Sequence, residues 1–78
     1  MNVVVIEDEQ AASRRLIRML EKQDLIVLAS LSSVETAIEW FKNNSHPELI
    51  FLDIQLSDGL SFSIFESVHI NSAIIFTT

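Results

Sequence analysis

Four short stretches that are apolar at almost every position constrain this chain more than any other feature. They are Val3 to Ile6, Leu25 to Leu31, Glu48 to Leu52 and Ser72 to Phe76. A strand with one wet face alternates apolar and polar residues. An unbroken apolar run suits a strand buried on both faces, as in a parallel sheet. Helical periodicity fills the gaps. From Glu9 to Gln23, Ala12, Leu16, Met19 and Leu20 recur at helical spacing, with Arg14, Arg15, Arg18 and Lys22 on other positions. Ser32 stands three residues before Glu35, the spacing of a capping box. Val34, Ala37, Ile38 and Phe41 then form an i, i+3, i+4, i+7 stripe, which Asn43 to Pro47 ends. Gln55 to Gly59 reads as a loop. Leu60 to about His69 reads as a shorter helix with Phe62, Phe65 and Val68 inward. The order β-α-β-α-β-α-β implies right-handed crossovers and a parallel, doubly wound α/β sheet with helices on both faces.

Composition supports one dense domain over residues 1–78. Apolar residues make up 49%, with one Gly and one Pro, and the mean hydropathy is +0.35. A chain of this length buries roughly 60–65% of its unfolded surface. It has no Cys, so disulfides and thiolate metal sites are excluded. The net charge of −6 and pI near 4.6 disfavour direct contact with nucleic acid. The start reaches Glu7-Asp8 with no basic leader and no run long enough to span a bilayer. The expectation is a soluble, cytoplasmic domain. Arg14, Arg15, Arg18 and Lys22 read as the solvated face of one helix.

In open parallel sheets, ligands bind beyond the carboxyl ends of the strands. Glu7 and Asp8 follow the first strand, Asp53 the third, and Thr77 and Thr78 the fourth. If the first and third strands are neighbours, three carboxylates converge. Such anions raise one another's pKa unless a cation neutralises them. Hard oxygen donors suit Mg²⁺, which leaves room for phosphate. One carboxylate, Asp53, could then attack phosphorus to form an acyl phosphate, and Thr78 could donate its hydroxyl to the new phosphoryl oxygens. His46 and His69 are isolated and read as surface or loop residues. Trp40 reads as a half-buried packing residue.

These residues resemble the response-regulator receiver (CheY-like) family. Val4-Val5-Ile6-Glu7-Asp8-Glu9 is similar to its first strand and acidic pair. Leu49 to Ile54 is similar to the third strand with its phospho-acceptor, and Asp58-Gly59 to the loop before the third helix. Ile74 to Thr78 is similar to the fourth strand with its switch hydroxyl. The Glu-Asp-Glu run, the following Ala-Ala and Arg-Leu, and the Phe-Thr-Thr ending look most like receivers that carry a LytTR-type DNA-binding output domain.

The resemblance implies a flavodoxin-like strand order of 2-1-3-4, phosphorylation of Asp53 by a sensor histidine kinase, and Mg²⁺ held by Glu7, Asp8, Asp53 and the backbone carbonyl of Gln55. It implies a switch at Thr78, or at Thr77 if the register is off by one, and a signalling module rather than an ordinary enzyme. It also implies a fifth strand, with a conserved Lys, and two helices beyond Thr78. On that reading this is the N-terminal part of a truncated receiver. Phosphorylation by it alone is weakened, and its bare apolar sheet drives self-association. Ser57 stands where the family often has Pro, which should loosen the loop after Asp53.

Three other readings compete. A phosphorylation-independent interaction module could keep the same fold. A haloacid-dehalogenase-type phosphatase wants a second Asp two residues after the first, where this chain has Gln55. A flavodoxin-like cofactor binder would need a Ser/Thr-rich phosphate loop where Glu7 and Asp8 stand.

Overall fold

The computed structural model describes residues 1–77. Its elements run β1 (Asn2–Ile6), α1 (Gln10–Lys22), β2 (Ile26–Leu31), α2 (Val34–Asn43), β3 (Leu49–Leu52), β4 (Gln55–Leu56), β5 (Gly59–Leu60), α3 (Ser63–Ser67) and β6 (Ala73–Phe76). The four expected strands form one parallel sheet in the order β2-β1-β3-β6, which is the expected arrangement. β4 and β5 form a small antiparallel hairpin apart from it. That pair was not expected from the sequence.

The central strand explains why the β-branched run was needed. Val3, Val4, Val5 and Ile6 are all buried, and their side chains alternate between two half-cores. Val3 and Val5 join Leu20, with Leu16 and Ile17 of α1 packed against them. Val4 and Ile6 join Val34, Ala37 and Phe41 of α2 together with Ile50, Leu52, Leu56 and Ile64. Each fully buried aliphatic side chain contributes roughly 1.5–3 kcal/mol. The edge strand β2 instead alternates exposed and half-buried residues, and its register slips between Val3 and Val4 of β1. Val27 faces Val3 and Ala29 faces Val4, so Leu28 is the extra residue and is exposed.

The helix ends have identifiable causes. The N-cap of α1 is Glu9, whose side chain makes no capping bond. It ends in a Schellman turn. Asp24 takes φ of 62°, its N–H donates to the Glu21 carbonyl, and Leu25 N–H donates to the Leu20 carbonyl, both at 3.1 Å. In α2 the sequence-based capping box is corrected. The N-cap is Ser33, whose Oγ accepts from Thr36 N–H at 3.1 Å, and not Ser32 paired with Glu35. The third helix is also shorter than expected, Ser63–Ser67. Phe62 lies outside it and is exposed, whereas Ile64 is fully buried. The hairpin consumes residues that a longer helix would have used, so Ile64 is inward and Phe62 is not, while Phe65 and Val68 pack against the core as expected.

Candidate functional site

The three parallel pairings are in register where the strands end. Ile6, Leu52 and Phe76 lie side by side. Hydrogen bonds carry the alignment one residue further: Asp53 N–H donates to the Ile6 carbonyl and Thr77 N–H to the Leu52 carbonyl, each at 3.0 Å. Glu7 N–H donates to the Leu31 carbonyl at 2.9 Å. Glu7, Asp53 and Thr77 therefore occupy one row at the carboxyl edge of the sheet, where a parallel sheet presents ligands.

In that row, one carboxylate oxygen each from Glu7, Asp8 and Asp53 lie within 4.8 Å of one another. Glu7 and Asp53 are half-buried and Asp8 is exposed. Neighbouring backbone supplies only long contacts. Gln55 N–H donates to Asp53 Oδ1 at 3.4 Å, and Glu9 N–H donates to Glu7 Oε2 at 3.5 Å. The pocket is thus rich in anions and poor in donors. Burial, and then a hydrogen bond and charge repulsion from Asp53, push the Glu7 carboxyl up from 4.5 to about 7. A hard dication fits this donor set. Ions of the Mg²⁺ type take oxygen ligands from a few carboxylates and fill their remaining positions with water, which suits three acids gathered at one edge.

Thr77 is exposed and lines a cleft of about 240 Å³ with Glu7, Arg15 and Met19. Thr78 lies outside the described residues. Gln55 opens β4, two residues past Asp53. The two histidines are not drawn into the site. His46 packs edge-on against Phe41, with ring centroids 5.1 Å apart, and its Nε2 is 3.0 Å from the Phe41 carbonyl. His69 is exposed.

One contact had no sequence signal beyond a turn-forming Asp-Gly pair. Asp58, at the tip of the β4–β5 hairpin, reaches back 24 residues to cap α2. Its Oδ1 accepts from Val34 N–H at 2.8 Å and its Oδ2 from Glu35 N–H at 3.1 Å. Those two bonds hold the Asp58 carboxyl below its usual range. With Ser33 on Thr36, and the Ser33 carbonyl accepting from Ala37 N–H at 3.1 Å, the first four donors of α2 are all satisfied. The loop after Asp53 is anchored at its tip by this cap. Ser61 N–H and Ser61 Oγ both donate to the Ile54 carbonyl, at 2.8 and 3.0 Å, and close the loop's other end. Gly59 adopts φ of 148°, a conformation essentially restricted to glycine.

A parallel sheet in this order, with acids converging at its carboxyl edge, defines a flavodoxin-like α/β domain of the receiver type. Residues 3–78 match the response regulator receiver domain, and the chain belongs to that family. It is 34% identical over 82 residues to the sensory transduction protein LytT of Bacillus anthracis, covering all of this chain and 33% of that protein. The chain thus spans about a third of the length of the curated relatives it matches. Among solved structures, the receiver domain of Erythrobacter litoralis PhyR is 27% identical with a TM-score of 0.81, over 96% of this chain and 60% of that one. The MaeR response regulator bound to beryllium trifluoride shares the fold, with a TM-score of 0.86 at 22% identity over 100% of this chain and 66% of that one.

Proposed function

We propose that this receiver domain of a two-component system accepts a phosphoryl group onto Asp53 from the phosphohistidine of a sensor kinase. The observation that carries the reading is the Glu7, Asp8 and Asp53 cluster at the ends of two adjacent strands. An Asp53 carboxylate oxygen attacks phosphorus and the P–N bond of the phosphohistidine breaks. Its electron pair returns to the imidazole, which takes up a proton. Glu7, Asp8, Asp53 and the backbone carbonyl of Gln55 would hold Mg²⁺, which when bound offsets the repulsion between Asp53 and the phosphoryl oxygens. Thr78, or Thr77 one residue earlier, donates its hydroxyl to the transferred group and so reports its arrival.

On this reading residues 1–78 are the first part of a receiver in a longer cytoplasmic regulator. A fifth strand bearing a Lys and two more helices complete the domain, and a LytTR-type output domain contacts DNA. Receivers are signalling modules rather than conventional enzymes, so turnover is limited to self-catalysed transfer and hydrolysis. Incubation of the intact protein with acetyl phosphate and Mg²⁺, followed by intact-mass and peptide mapping, tests the assignment. One phosphoryl group on Asp53 is expected, lost in Asp53→Asn and on chelation of the metal. No label, or a label on another residue, would favour an interaction module that signals without phosphorylation.

A further inference from the structure

A second concave surface runs along α2 from the end of β2, shares no lining residue with the acidic cluster, and is independent of the phosphoryl-transfer reading. Leu31, Trp40, Glu35, Glu39, Asn43 and Asn44 line a groove of about 490 Å³. Its apolar base is Leu31 and the half-buried Trp40, whose ring is fixed edge-on to Phe41 with centroids 5.0 Å apart. Its end wall is formed by Asn43, whose Nδ2 donates to the Glu39 carbonyl at 2.8 Å, and Asn44, whose Nδ2 donates to the Trp40 carbonyl at 2.9 Å. Both charged members carry the same sign. Glu35 and Glu39 are four residues apart on one helix, so their side chains are neighbours and repel each other, a small destabilisation that a bound cation would reverse. Two carboxylates and an indole lining one groove match a guanidinium, which pairs with carboxylates and stacks on indole. The same carboxylates repel phosphate backbones and anionic lipid surfaces.

We propose that this groove docks an arginine-bearing segment of a partner protein, with a guanidinium over Trp40 between Glu35 and Glu39 and a flanking apolar side chain against Leu31. The chain holds one Trp and no Tyr, so indole fluorescence reports this groove alone. The probe is a capped hexapeptide of alternating leucine and arginine. A saturable change in Trp40 emission is expected, absent with the glutamate-for-arginine peptide and with free arginine at equal concentration. The double variant E35Q/E39Q, with its fold checked by circular dichroism, should weaken binding by about tenfold, as loss of two partly exposed charge pairs implies, while E48Q/E66Q changes it by less than about twofold. Equal weakening by both double variants would reduce the effect to net charge and overturn the proposal. Binding of free arginine as tight as that of the peptide would overturn it in favour of a small cation. An emission change that follows chain concentration without peptide would overturn it in favour of a second copy.

Discussion

Glu7 shows how a single side chain makes the acidic pocket sensitive to pH. Its folded-state value near 7 lies above the ordinary 4.5. Between those limits the folded chain keeps a proton that the unfolded chain has released. The folded state therefore binds more protons, and stability falls as pH rises from about 4.5 through about 7, then levels off. Urea melts across that range should show the decline without divalent ions, a smaller one with Mg²⁺, and a flatter profile in Glu7→Gln. A profile unchanged by that substitution would place the proton elsewhere. A second residue-scale contrast separates the true core from the expected one. Ile64 is fully buried and Phe62 is 46% exposed. Ile64→Ala should cost about 2–5 kcal/mol, as cavity-forming substitutions do, and Phe62→Ala well under half as much. Equal losses in chemical denaturation would contradict the packing described.

Among the elements, legibility followed the range of the interaction involved. β1, α1 and the apolar stripe of α2 were readable because periodicity is local: Val34, Ala37 and Phe41 are buried as expected. Met19, placed on the apolar stripe of α1 by spacing, is instead 64% exposed. The stripe there is narrower, and Ile17 packs on the sheet in its place. The convergence of Glu7, Asp8 and Asp53 was legible because strand ends in a parallel sheet share one edge. The Asp58 cap on α2 was not, since it joins residues 24 apart through a hairpin with no strong strand pattern. The left-handed turn at the end of α1 gives an element-scale prediction. Asp24 sits at φ of 62°, where a Cβ is unfavourable and glycine is not. Asp24→Gly should stabilise the chain by about 0.5–1 kcal/mol in thermal or urea unfolding. Destabilisation would mean that the Asp24 side chain has a role beyond the turn.

Over the molecule as a whole, polarity is unevenly shared. The outer edge strand β6 leaves Ile75 and Phe76 exposed, and Phe76 stacks edge-on with the exposed Phe62 at 5.7 Å. Among the described residues, β6 pairs with β3 on one side only. An uncharged edge of this kind is a template for another strand. The 78-residue chain is expected to self-associate in sedimentation velocity, and Ile75→Lys should shift it to monomer. A wild-type monomer at high concentration would count against the edge as an adhesive surface. None of the chain's helices is long and apolar enough to cross a membrane, among the described residues. The alternating burial of β1 has one more consequence. Because this strand supplies side chains to both half-cores, neither layer can detach and leave the other intact. The amides of Val3 to Ile6 should exchange with solvent only through global opening, and the two faces of the sheet should melt together.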